Sequence, residues 1–185
     1  LPVGIASSVT GQSAEMQQSF RSLLLAFALA VFLVYLVMAS QFESLRHPFI
    51  ILFTIPMGLI GAVWGLALTG TTVNAVAFIG LILLAGIVVN NAIVLLDAVN
   101  QARERGLERH EALVLAGRTR LRPILITSVS TILGLVPMAI GLGEGAEVRR
   151  PMAITVIGGM LVATVLTLIV IPVLYTLLDR RAQRP

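Results

Sequence analysis

Five stretches of this chain, at residues 23–39, 48–68, 73–99, 124–141 and 152–178, are nearly unbroken runs of apolar side chains. A hydrocarbon core about 30 Å thick takes roughly 20 such residues per helix, so the runs have the length of bilayer crossings placed in series. The composition agrees. With 57% hydrophobic and only 12% charged residues and a mean hydropathy of +0.98, the chain carries more apolar surface than a soluble domain of 185 residues can hide. The fold class that follows is all-α, a polytopic membrane bundle of five transmembrane helices.

The segments between the runs give the organisation. Residues 1–20 are polar, with Gly4, Gly11 and a weak alternation around Val3, Ile5 and Val9, and read as the end of a water-exposed domain followed by an amphipathic approach through Met16 and Phe20. Residues 41–47 form a short charged loop. Pro48 stands at a helix start, whereas Pro56, inside the second run, is expected to kink it. The charged connector 100–122 contains Leu107, Val114, Leu115 and Leu121, enough for a short interfacial helix. The membrane domain thus spans residues 21–180, and 181–185 form a tail. No charged leader follows Leu1, so the chain is expected to begin inside a longer polypeptide.

The pI near 11.0 raises the possibility of nucleic-acid binding, but all 13 basic residues are arginines gathered between the apolar runs rather than on one continuous face. Orientation explains them better. Five crossings put Arg21, Arg149 and Arg150 on one side. Arg46, the six arginines of the connector, and Arg180, Arg181 and Arg184 fall on the other. By the positive-inside rule the richer side is expected to be cytoplasmic and the N-terminus periplasmic or extracellular. With no cysteine, the chain has no thiolate site. His47 and His110 lie in separate loops without ligand spacing, and Gly141, Gly143 and Gly145 lack the strand and lysine of a phosphate loop. No catalytic residue, metal site or cofactor is read from the sequence.

What lipid should forbid is more informative. In Gly86-Ile87-Val88-Val89-Asn90-Asn91-Ala92-Ile93-Val94-Leu95-Leu96-Asp97 two adjacent amides interrupt an apolar helix. Hydrocarbon offers an amide no partner, so Asn90 and Asn91 must face protein or water, either as interhelical hydrogen-bond glue or as the lining of an ion route. Asp97, seven residues on, shares the face of Asn90 and is either solvated, paired with a connector arginine, or a proton carrier. Thr127, Ser128, Ser130 and Thr131 supply hydroxyls in the fourth run. Of these, Thr127, Ser130 and Thr131 share one face, and Ser130 and Thr131 match the asparagines in depth. Such hydroxyls also bond their own helix carbonyls. Gly58, Gly61 and Gly65 form a ridge on the second run and Gly158 and Gly159 open the fifth, as expected where helices pack closely in lipid.

Together these stretches resemble a known family. GIVVNNAIVLLD, the connector ending RTRLRP, and ILITSVSTILGLVPMAIG are similar to the tenth and eleventh membrane helices of RND (resistance–nodulation–division) efflux transporters. GQSAEMQQSF resembles the exit from their periplasmic porter domain, MASQFESLRHPFIILFTIPMGLIGAVWGL the eighth and ninth helices, and GGMLVATVLTLIVIPVLYTLLDR the twelfth. The resemblance covers essentially the whole chain and makes it half of a twelve-helix membrane domain. It implies a homotrimeric bacterial inner-membrane antiporter, driven by protons, that works with a periplasmic adaptor and an outer-membrane channel. It also implies that the tenth helix faces paired aspartates of an N-terminal half not present in this chain. By position Asn90, Asn91 and Thr127 correspond to the relay, and Arg120 to a cytoplasmic-end arginine of the same path. Many multidrug members carry Lys where this chain has Asn90.

Two functions of different classes follow. One is the membrane half of a transporter for drugs or other amphiphiles, with related lipid or protein exporters sharing the architecture. The other is a noncatalytic membrane scaffold in which the asparagines serve only as glue.

Overall fold

The computed structural model describes residues 11–42 and 45–178. Of the porter-domain reading of residues 1–20, residues 1–10 lie outside the described residues, as do the tail 181–185 and the arginines Arg180, Arg181 and Arg184, while residues 11–20 are helical and continuous with the first crossing. The described residues form six helices joined by short turns, with no strand among them: α1 (Gly11–Gln41), α2 (Arg46–Leu52), α3 (Thr54–Leu68), α4 (Ala75–Glu104), α5 (Arg109–Ile140) and α6 (Ala146–Leu178). Five segments are long and apolar enough to cross a membrane, α2 and α3 together forming the second. At 1.5 Å per residue, the 30 to 33 residues of α4, α5 and α6 exceed a hydrocarbon core of about 30 Å and extend past it.

The second crossing is broken at Phe53, one turn before Pro56. Pro56 has no N–H to give the Leu52 carbonyl and its ring crowds that turn. The buried Thr54 hydroxyl, which donates to the Ile51 carbonyl at 2.6 Å, completes the bend. On the far side of the next loop, the Asn74 side chain caps α4 by accepting from the Ala77 N–H at 2.8 Å.

The connector differs from its sequence reading. It is not a separate interfacial helix, because α4 runs on to Glu104 and α5 begins at Arg109 and continues unbroken through Pro123. The burying face is also different. Ala112, Leu113 and Ala116 enter the core with Ile124, while Val114, Leu115 and Leu121 stay exposed. Alanines hidden among arginines read as a polar loop in sequence, yet this face joins Val99 and Ala102 of the α4 extension in one buried cluster.

The interior is layered along the bundle. A large cluster joins Met38 of α1, Ile50 and Ile51 of α2, Leu95, Leu96 and Val99 of α4, Ile124 of α5, and Ile171 and Tyr175 of α6. Above it, Ala62, Leu84, Val88, Val156, Met160 and Ala163 form a second layer, and Leu66, Ala77 and Ile154 a third. His47 is half-buried, its ring stacked on Tyr175 with centroids 5.9 Å apart. Phe20 and Phe27 meet Phe78 edge-on and hold α1 to α4. α6 is central, lying against α3, α4 and α5, whereas α1 and α5 leave most of their residues uncovered.

Candidate functional site

The glycines set how closely the helices approach. A Cβ added to Gly61 would lie 2.5 Å from the Gly158 carbonyl oxygen, and one on Gly158 would lie 2.9 Å from the Gly65 Cα. Backbone thus meets backbone between α3 and α6. Gly159 makes room for the Leu84 side chain, and Gly58 borders the same leucine at ordinary contact distance. Gly80, which the sequence did not single out, does equivalent work: its added Cβ would sit 2.9 Å from the Met152 carbonyl oxygen. Nothing in the spacing around Gly80 marks it, because unlike Gly58, Gly61 and Gly65 it has no glycine three or four residues away.

With α3, α4 and α6 drawn together, the rotation of α4 is fixed and Asn90 turns outward. It lies on an uncovered stripe with Ile79, Leu83 and Gly86, at spacings of four and three residues, while Asn91 is half-buried. A side chain added to Gly86 would meet nothing within 4 Å. Neither asparagine makes a side-chain hydrogen bond among the described residues, so the helices of this half are not what they hold together. Asp97 is half-buried lower on the helix and accepts from the Gln101 Nε2 at 2.7 Å, within its own helix. No arginine pairs with it among the described residues.

The hydroxyls of α5 divide between two faces. Ser128 points inward and is 3% exposed, its Oγ 3.0 Å from the Oγ1 of the buried Thr164 on α6. Thr127 and Ser130 are exposed and Thr131 half-exposed, beside Gly134, where an added Cβ again meets nothing within 4 Å. Thr127 donates to the carbonyls of Pro123 and Ile124 at 3.2 and 2.9 Å, and Thr131 to that of Thr127 at 2.8 Å. Their protons are thus turned back onto the helix, leaving oxygen lone pairs to face outward. Arg120, half-buried, falls seven residues before Thr127 on the same side of the helix.

The two polar stripes flank residues that share one apolar cluster. Ile87 of α4 and Ile132 and Leu135 of α5 pack against the same cluster, and they neighbour the asparagines and Thr131 in sequence. Both stripes occupy surfaces that no described helix covers.

Five segments long and apolar enough to cross a membrane, with polar side chains on faces that no described helix covers, define a polytopic membrane helix bundle. The chain matches the AcrB/AcrD/AcrF family over residues 1–179. It belongs to that family of RND efflux transporters. It is 43% identical to the swarming motility protein SwrC of Bacillus subtilis and 38% identical to the multidrug resistance protein MdtC of Erwinia tasmaniensis, in both cases over 100% of this chain and 18% of the relative. Among solved structures, a heavy metal efflux pump superimposes in two crystal forms with TM-scores of 0.84 and 0.80, at 35% and 34% identity, over 92% of this chain and 17% of that one. The chain therefore spans under a fifth of the length of these relatives.

Proposed function

We propose that this chain is the C-terminal membrane half of a proton-driven efflux transporter, exchanging protons for drugs or other amphiphiles across the bacterial inner membrane. The observation that carries the reading is the outward placement of Asn90, Thr127 and Ser130 on otherwise apolar helices. Lipid cannot satisfy an amide, so this face needs a polar or hydrated partner. In the resembling family that partner is an N-terminal half bearing paired aspartates.

The chemistry follows from the groups present. An asparagine amide donates through its NH2 to a carboxylate and accepts through its oxygen from a carboxylic acid. Asn90 and Asn91 can thus follow an aspartate through both protonation states by exchanging donor for acceptor. The outward lone pairs of Thr127 and Thr131 accept from water or from the amides, and Ser130 adds a hydroxyl at the same level. Asp97 and Arg120 mark the path towards the connector end. A lysine at position 90 would act as a charge partner instead, so the relay here rests on hydrogen bonding rather than on ion pairing.

The arginine distribution supports a cytoplasmic connector end and a periplasmic Leu1 end. Membership of the family supports assembly as a homotrimer with a periplasmic adaptor and an outer-membrane channel. The activity is transport and not catalysis. The likeness to a heavy metal efflux pump supports metal cations as an alternative cargo, because in the resembling family substrate pockets lie in periplasmic sequence beyond this chain. The scaffold reading is weaker, since neither asparagine side chain makes a hydrogen bond among the described residues.

The test is Asn90→Leu in the full-length protein. Proton-coupled export measured in vesicles should fall at least tenfold while trimer assembly persists. Undiminished export would reduce Asn90 to a packing residue.

A further inference from the structure

A groove of about 360 Å³ lies between α3 and α6 at the end of the bundle where α5 gives way to α6. It exists because the helices meet there through Gly61, Gly65 and Gly158: the glycine seam forms a floor without side chains. Trp64 and Leu68 of α3 wall one side, Ile157 and Leu161 of α6 the other, and Ile140 closes one end. Trp64, Leu68 and Leu161 are all more than half exposed, so the trough opens outward. None of the proposed relay residues lines it.

One charged side chain borders this apolar trough, Arg150, in the second turn of α6. Glu144 and Glu147 belong to the same loop and first turn but do not line the groove. No described carboxylate pairs with Arg150. From Arg150 to Leu161 the helix rises about 16 Å, the reach of most of an acyl chain. Trp64 adds the amphipathic ring that favours the headgroup level of a bilayer. A guanidinium at the end of an apolar trough matches a ligand with a phosphate at one end and a hydrocarbon chain at the other.

We propose that this groove binds an anionic phospholipid, its acyl chain on the Gly61–Gly158 floor and its phosphate on Arg150. The site is independent of the proton route: it needs neither Asn90 nor a particular coupling ion, and it stands or falls separately from the transport reading.

The experiment uses the full-length protein in nanodiscs containing phosphatidylglycerol or phosphatidylcholine with a photoreactive acyl chain, followed by mapping of the crosslinked peptides. The phosphatidylglycerol probe should label the peptides carrying Trp64 and Leu161 in excess over the phosphatidylcholine probe. Arg150→Gln should lower that labelling about fivefold, the value of one basic residue to an anionic lipid, and Arg150→Lys should retain most of it. Leu161→Trp, which fills the trough and leaves the charge in place, should block both probes. Equal labelling by the two lipids, or indifference to Arg150→Gln in a correctly assembled protein, would leave only a generic annular contact and overturn the proposal. Absence of labelling would mean that protein covers the groove, and would overturn it equally.

Discussion

Gly61 and Gly158 touch backbone to backbone, close enough that a Cβ on the first would stand 2.5 Å from the carbonyl oxygen of the second. The contact fixes the separation of α3 and α6 and, through Leu84 seated over Gly159, the position of α4 beside them.

Gly61→Ala should therefore force the two backbones apart and cost about 1–3 kcal/mol, the range for overpacking a filled interior. Gly117→Ala is the control. Its Cβ would meet nothing within 4 Å, and the helix propensity of alanine should make it neutral or stabilising by up to about 1 kcal/mol. Unfolding of the purified full-length protein in mixed detergent measures both. Equal stability of the two variants would mean that the seam relaxes freely.

Ser128 and Thr164 form a buried hydroxyl pair 3.0 Å apart. A double-mutant cycle with Ser128→Ala and Thr164→Val should return a coupling of about 0.6 kcal/mol, with an upper bound near 1.7, as for interhelical hydrogen bonds in membranes. A coupling of zero would show that each hydroxyl satisfies itself on its own helix.

The inward and outward hydroxyls of α5 should differ in access to water. In a cysteine-free full-length background, Ser130→Cys should react with a membrane-impermeant thiol reagent at least tenfold faster than Ser128→Cys, which is 3% exposed in this half. Equal protection of both would indicate a dry seam against the partner half and remove the hydrated route.

Asn90→Lys separates a need for polarity from a need for an amide. On the proposed relay a lysine can pair with an aspartate of the partner half, so export should survive this change while Asn90→Leu loses it. Transport assays across a pH series read the outcome. Loss of function in both variants, with assembly intact, would show that only the two-way hydrogen bonding of an amide serves at this position.

Much of the fold is legible in the residues. Run length against bilayer thickness gives the number of crossings, and Pro56 announces the bend that appears at Phe53. The connector was not legible: Ala112, Leu113 and Ala116 form too small an apolar face to stand out among arginines, and only the α4 extension opposite them makes it a buried surface. Gly80 escaped because no glycine stands three or four residues from it, and Thr164 because its partner Ser128 lies on another helix, 36 residues away in sequence.

The sequence by itself determined which residues share a helical face, because the 3.6-residue period fixes their angles, and it required a partner for Asn90 and Asn91, because hydrocarbon supplies none. It left open the rotation of each helix about its own axis. Tertiary packing decided that, through the glycine seam and the leucine set against it, turning Ser128 inward to Thr164 and Asn90 outward to an uncovered face. A helix's rotation is settled by what its neighbours can bury, and that is a property of several helices at once.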